Sequence, residues 1–251
     1  MTSRRSIAKS AFMKPIYKHY KEDQLDTSPA QIVPFLISNL RPKSVLDVGC
    51  GIGNWLMEFK KHGVADLQGI DGFHLNKELF MLDPGQLLQM DMNNPFELQR
   101  KYDLAISLEV AEHLKPAAAD HFVSSITKST DTVVFSAAVP GQGGQNHLNE
   151  QWPSYWKEKF EANGFQFYDV LRPVFWNDER VRYWYKQNMF VASKNALPST
   201  FGHDRLIDVV HPNLLSAKVA ESLQGEFGVR IAAKTFLKSL NRSMKVKLGM
   251  K

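Results

Sequence analysis

Three acidic residues, Asp47, Asp71 and Asp91, each sit in or just beyond a short apolar run, and glycines at positions 49, 51 and 53 follow the first of them. An ionised carboxylate accepts hydrogen bonds from two vicinal hydroxyls, so such an acid matches a ribose. Glycines let the backbone approach a ligand closely, and a helix starting after them offers free N–H groups. A second group, Glu109, Glu112 and His113, has i, i+3, i+4 spacing. On a helix starting near Glu109, that spacing puts two carboxylates and an imidazole on one face. This donor set suits a hard divalent ion such as Mg²⁺ or Mn²⁺. A third group crowds the segment PGQGGQNHLNEQW, residues 140–152, where Gln142, His147, Asn149 and Glu150 are able to orient a polyhydroxylated substrate. His147 or His113 is a candidate general base, because imidazole titrates near working pH. Each group also has a plain structural reading, as strand-end turn acids or as a loop stabilised by its own side chains.

These groups need a scaffold that gathers strand ends. Apolar runs predict strands at Ser44–Val48, Leu67–Asp71, Leu87–Met90, Asp103–Leu108, Thr132–Val139, Phe165–Leu171 and Asn188–Ala192. Helical stretches alternate with them: one beginning near Thr27 with Ser28 as N-cap and Pro29 at N1, then Trp55–Lys61, one carrying Ala111 and Leu114, and Ser154–Ala162. Pro34 inside the first of these implies a kink or a restart. Alternation of this kind predicts right-handed crossovers and a mainly parallel sheet covered on both faces. The fold class is α/β, a Rossmann-like three-layer sandwich with a seven-stranded-type sheet and a C-terminal helical extension. The last two strands lack a long connecting helix, so the final one is expected to be antiparallel. Ligands of open α/β sheets bind beyond the carboxyl ends of the strands.

The turn after the first strand reads Asp47-Val48-Gly49-Cys50-Gly51-Ile52-Gly53. A dinucleotide fingerprint needs G-x-G-x-x-G, but Asn54 stands where its last glycine belongs. The D-V-G-C-G-x-G form instead resembles motif I of the class I S-adenosylmethionine-dependent methyltransferases, a resemblance extending from about Ser44 to Ala192. It implies S-adenosyl-L-methionine as cofactor. Gly49, Cys50, Gly51 and Gly53 would approach its methionyl and ribose parts, and Asp47 its amino-acid end. Asp71, with Gly72, would take the ribose hydroxyls. Asp91 would accept from the adenine amino group, with Met90 or Met92 beside the ring. Leu108 and Glu109 would lie near the methionyl group.

The E-x-x-E-H pattern resembles metal-dependent small-RNA 2′-O-methyltransferases and ubiquinone-pathway O-methyltransferases. That likeness implies a metal site of Glu109, Glu112 and His113, completed by His147. The loop at 140–152 is similar to that of bacterial methyltransferases of surface-sugar pathways. The implied reaction is O-methylation of a small polar acceptor, such as a sugar or sugar-containing metabolite, with His147, His113 and Glu109 as catalytic candidates. Aromatic residues just downstream add Trp176 and Trp184 as pocket candidates, since such rings stack on sugars or bases. Arg172, Arg180 and Arg182 are able to meet an anion. Trp156 is expected in the core with Phe160.

The chain has 251 residues, a net charge of +5 and one cysteine, Cys50, so neither an intrachain disulfide nor a cysteine-based zinc site is available. The basic excess lies at the ends: Arg4, Arg5, Lys9, Lys14 and Lys18 precede the first acid, Glu22, and seven basic residues follow Glu226 with no acid. Residues 1–25 read as a basic arm, 26–194 as the methyltransferase domain and 195–251 as a basic helical extension. The basic ends permit nucleic acid, as an RNA 2′-O-methyltransferase would need, but no recognised RNA-binding module accompanies them. A non-catalytic cofactor-binding module is a further alternative. The amphipathic stretch Arg230–Met244 suits packing or homodimerisation, with a membrane surface as a minority reading. No secretory signal or membrane span is visible, which points to the cytoplasm.

Overall fold

The computed structural model describes residues 25–201, 209–223 and 236–237. Seven strands form one sheet: β1 Ser44–Val48, β2 Asp66–Asp71, β3 Leu87–Gln89, β4 Leu104–Leu108, β5 Thr132–Ser136, β6 Gln166–Tyr168 and β7 Phe190–Ser193. Their order is β3-β2-β1-β4-β5-β7-β6. All pairings from β3 to β5 are parallel, and β7 runs antiparallel to both β5 and β6. The mainly parallel Rossmann-like sheet with an antiparallel last strand is therefore what the sequence forms.

Side chains alternate across a strand, so each strand feeds two cores. Val45, Leu104, Ile106, Val134 and Val191 pack with Ile32 and Leu36 of α1 (Ser28–Leu40) and with Leu56 and Phe59 of α2 (Asn54–Lys61). Their strand neighbours Leu46, Ala105, Val133, Phe135 and Ala192 face the other way. They meet Phe122 and Ile126 of α3 (Ala119–Ser129) and Trp156 and Phe160 of α4 (Pro153–Ala162). Burying one such side chain is worth about 1.5–3 kcal/mol, and both layers are needed because a parallel sheet tolerates water on neither face. Trp156 is buried in the core, as expected. Two short helices, α5 Arg172–Phe175 and α6 Tyr183–Asn188, lead into β7.

The structure departs from the sequence expectations at three local points. Thr27, not Ser28, caps α1. Ser28 is buried in the first turn, where its hydroxyl donates to Asp26 and accepts from the Arg182 N–H. Helix α1 runs on through Pro34, so of the expected kink or restart the restart does not occur. No helix starts at Glu109: its φ is 57°, and only a 3₁₀ turn, Ala111–His113, follows.

The chain divides into two compact units, residues 1–208 and 209–251. The second contains α7, Pro212–Leu223, where a helix over Leu214–Leu223 was expected. Within the expected helix Arg230–Met244, only Phe236 and Leu237 are described, both helical and exposed. Its remaining residues, and the basic arm before Leu25, lie outside the described residues. Among the described residues no helix is long and apolar enough to cross a membrane.

Candidate active site

Strand order reverses between β1 and β4, and in open α/β sheets that switch point is where the ligand crevice lies, beyond the carboxyl ends of the strands. The chain turns out of β1 through Gly49, Gly51 and Gly53, at φ of 87°, 52° and 90°. Gly49 has no alternative: a Cβ there would lie 2.2 Å from a Val110 methyl. At Gly51 a Cβ would meet nothing within 4 Å, so the turn presents bare backbone to open space. The Gly49 and Cys50 N–H groups both donate to the Ile70 carbonyl, at 2.8 and 3.0 Å, and pin the turn to the end of β2.

Asp71 ends β2 and is buried. Its Oδ2 accepts from the Gly51 N–H at 2.7 Å and its Oδ1 from the Gly72 N–H at 2.6 Å. Burial raises its pKa against the lowering pull of those two bonds and of His74. Asp47 is also buried, and its Oδ2 finds no hydrogen-bond partner among the described residues. Burial, then the nearby Asp71 charge, hold its carboxyl well above the usual carboxylate range. Burial likewise pushes the Cys50 thiol up, so it is no ready nucleophile. Asp91 is exposed and closes its own turn, accepting from the Asn93 N–H and side-chain amide, both at 3.0 Å, and from the Asn94 amide at 3.1 Å. The Asn93 bonds lower its pKa. Met92 is buried in the core layer of α3 and α4, and Leu108 in the opposite layer.

A buried acid whose folded pKa lies above its unfolded one contributes less to stability as pH rises between the two. Asp47→Asn removes that penalty. The variant is expected to melt above the parent at pH 7, by a margin that shrinks toward pH 4, while binding S-adenosylhomocysteine more weakly. Thermal melts across that range check it, and a variant that melts below the parent at pH 7 contradicts the assignment.

The second constellation assembles without a helix. The Glu109 N–H donates to Ser136, to its carbonyl at 3.1 Å and its hydroxyl at 3.0 Å, and so turns the chain sharply off β4. The Glu109 carboxylate accepts from Gln142 Nε2 at 2.8 Å and from Asn188 Nδ2 at 3.0 Å. Asn188 Nδ2 also donates to Gln142 Oε1 at 2.9 Å. Burial raises the Glu109 pKa, and the Asn188 and Gln142 amides work against that rise. Glu112 is fully buried, and neither carboxylate oxygen has a hydrogen-bond partner among the described residues. Its burial, with the Glu109 charge beside it, pushes its pKa far up. Its carbonyl accepts from the Leu148 and Asn149 N–H groups at 2.7 and 2.9 Å, which ties the loop after β5 to the end of β4.

That loop is braced by Glu150, whose two oxygens accept from the Gly141 and Gly143 N–H groups at 2.8 and 2.6 Å. Glu150 also holds His147 Nδ1 at 2.8 Å. The His113 and His147 rings meet edge to face with centroids 4.9 Å apart. Glu112, His113 and His147 bring one ligand atom each to within 4.8 Å of one another. Glu109 is not of this group; amides take its oxygens. Asn149 is buried, and its Nδ2 has no partner among the described residues.

The three arginines proposed as anion ligands are each turned inward or paired. Arg172 is buried, clasps Asp169 through two nitrogens and donates to the Gln187 carbonyl. Arg180 pairs with Asp178 at 2.7 Å, and Arg182 lies 3.9 Å from Asp26. Trp184 packs against the α1–α2 core layer beside Tyr183 and Tyr185. Trp176 is partly exposed, just beyond α5. Two residues of the site belong to no motif. Asn188 precedes a buried strand at the sheet's carboxyl edge, and His74 follows the β2 acid by three residues.

The sheet order, the glycine turn and the buried acid ending β2 together define a class I, S-adenosylmethionine-dependent methyltransferase. Residues 17–172 match the model of the methyltransferase domain family, and the chain belongs to that family. Among solved structures, the sugar N-methyltransferase KedS8 of Streptoalloteichus aligns over 78% of this chain and 99% of its own, at 14% identity and a TM-score of 0.56. CalS10 of Micromonospora echinaspora, an amino pentose methyltransferase with S-adenosylmethionine bound, aligns over 71% and 98%, at 14% identity and a TM-score of 0.50. Magnesium protoporphyrin IX methyltransferase of Synechocystis, with S-adenosylhomocysteine bound, covers 74% and 90%, at 18% identity and a TM-score of 0.49. These likenesses are of fold. No curated protein matches the chain by sequence.

Proposed function

We propose that the chain binds S-adenosylmethionine across the carboxyl ends of β1 to β3 and methylates a hydroxyl oxygen of a small polar acceptor, a sugar or sugar-containing metabolite. Three features of the crevice fit the cofactor: bare backbone at Gly51, the fixed acceptor Asp71, and the unpartnered Asp47 oxygen. Asp47 would receive the ammonium of the amino-acid end, a donor that its buried Oδ2 lacks. Asp71 would receive ribose hydroxyls, and Asp91 the adenine amino group. Gly49, Cys50, Gly53, Gly72, Met92 and Leu108 would shape the walls. When bound, the cofactor supplies an electrophilic methyl on a sulfonium leaving group.

The Glu150–His147 pair is the observation that carries an oxygen acceptor. A hydroxyl must lose its proton during transfer, and a carboxylate on Nδ1 fixes the orientation of the imidazole so that Nε2 is the nitrogen left for the acceptor. His147 would take that proton through Nε2, with His113 as its ring neighbour. Gln142, Asn149 and Glu109 would orient the acceptor. The likeness in fold to sugar methyltransferases favours a carbohydrate among polar acceptors.

A second reading concerns a divalent ion. Glu112, His113 and His147 converge, and both Glu112 oxygens lack partners among the described residues, as a ligand awaiting a cation would. Bound there, an ion would orient the acceptor and lower its hydroxyl pKa.

The test is calorimetry with S-adenosylhomocysteine, followed by a screen of sugar nucleotides and other polar metabolites with labelled cofactor, in buffer with Mg²⁺ or Mn²⁺ and in chelator. Binding together with label on an acceptor oxygen is expected. Label found on nitrogen would overturn the oxygen assignment. Undiminished turnover in chelator would end the metal reading.

A further inference from the structure

The turn that follows Asp71 carries a side chain that no motif assigns. His74 sets Nε2 at 3.4 Å from Asp71 Oδ1, with the imidazole about 24% exposed and the carboxylate buried. Its ring stands over Gly72: a Cβ there would lie 2.5 Å from Nδ1 and 2.6 Å from Cε1. Gly72 is not among the glycines with positive φ, so its backbone does not demand glycine. The imidazole's position does. The turn is also braced from β3 and its neighbour, since Gln89 Nε2 donates to the Leu75 carbonyl at 2.8 Å and the Leu75 N–H donates to the Gly72 carbonyl at 3.2 Å.

Asp71 is held by the Gly51 and Gly72 N–H groups, and each of its oxygens keeps lone-pair capacity for one more donor. A fixed carboxylate and a half-open imidazole therefore stand side by side at the end of β2. A second carboxylate here would add charge next to Asp47 and Asp71, whose mutual repulsion is already felt at Asp47. An imidazole offers a hydrogen-bonding nitrogen without adding a negative charge.

The geometry points to His74 as a second ribose ligand: one hydroxyl of the vicinal pair donates to Asp71 and the other bonds the His74 imidazole, for which Gly72 leaves room. The inference rests on the cofactor reading of the crevice. The experiment is titration calorimetry with S-adenosylhomocysteine on the full chain and on His74→Ala, Gly72→Ala, the double variant and His74→Gln, each checked for an unchanged melt. His74→Ala should bind about tenfold more weakly, the scale of one lost hydrogen bond in a buried polar site. Gly72→Ala should lose a similar factor by displacing the ring, and the double variant should be no worse than either single one. His74→Gln, which keeps a donor and an acceptor, should recover most of the loss. For the 2′-deoxy or the 3′-deoxy analogue, whichever lacks the hydroxyl bonded to His74, removing the imidazole should cost nothing further. If the parent binds and His74→Ala binds equally well, or the two single losses simply add, the inference falls alone. If the parent does not bind S-adenosylhomocysteine, the cofactor reading falls and takes this one with it.

Discussion

Asp71→Ala is expected to lower S-adenosylhomocysteine affinity by about 10- to 10²-fold, the value of one hydrogen bond to a charged group at about 1.5–3 kcal/mol. The carboxylate has two tasks at once. It accepts the Gly51 and Gly72 N–H groups, which fixes the glycine turn against the end of β2, and it keeps capacity facing the crevice. Removing it leaves two backbone donors to find other partners, at about 1–3 kcal/mol for each that stays buried and unpaired. The variant should therefore also melt earlier. Asp71→Asn separates the tasks: its one carbonyl oxygen satisfies one N–H, while its amide opposes the other, so affinity stays low with a smaller loss of stability. Calorimetry beside thermal melts gives both quantities. Affinity within threefold of the parent in Asp71→Ala would remove this residue from the ribose site.

The sheet was readable because its inner strands, β1, β4, β5 and β7, are buried on both faces and so stand out as apolar runs. The glycine turn was readable because two of its glycines face steric demands that no other residue meets, Gly49 against Val110 and Gly53 against Phe80. The antiparallel last strand followed from the missing crossover. Glu109 was misread because E-x-x-E-H has helical spacing, yet the three side chains are gathered by tertiary bonds. Ser136 takes the Glu109 N–H, and Gln142 and Asn188 take its carboxylate, from positions 33 and 79 residues away. Local spacing carries no trace of such partners. Asn188 was invisible for the same reason: it is a lone amide at the head of an apolar strand, and only the antiparallel turn of β7 delivers it to the carboxyl edge. Arg172 was misassigned as an anion ligand because a sequence does not tell an arginine that waits for a ligand from one already clasping a buried carboxylate, here Asp169.

Glu109 is a residue whose loss should cost turnover, and its backbone allows strain to be separated from chemistry. A non-glycine residue at φ 57° sits in the left-handed region, which costs about 1–2 kcal/mol. Such strain persists only where the surroundings impose it, here the Ser136 bonds and the two amides. The charge also dictates how those amides face. A carboxylate at 109 turns both N–H₂ groups toward itself, and the Gln142 oxygen is then taken by Asn188. The Asn188 oxygen is left buried and without a donor among the described residues, so it suits an acceptor hydroxyl. Glu109→Ala removes the charge that sets this arrangement but keeps the strain. Glu109→Gly removes both. Each is expected to lower turnover by about 10²-fold or more, in the range of a positioned polar catalytic group, on the acceptor that the labelled-methyl screen identifies. The glycine variant should nevertheless melt about 2–4 °C above the alanine one, the shift that about 1 kcal/mol produces in a chain of this size. Turnover above a tenth of the parent's in either variant would exclude Glu109 from the chemistry. Equal melts would mean that the left-handed turn stores no strain.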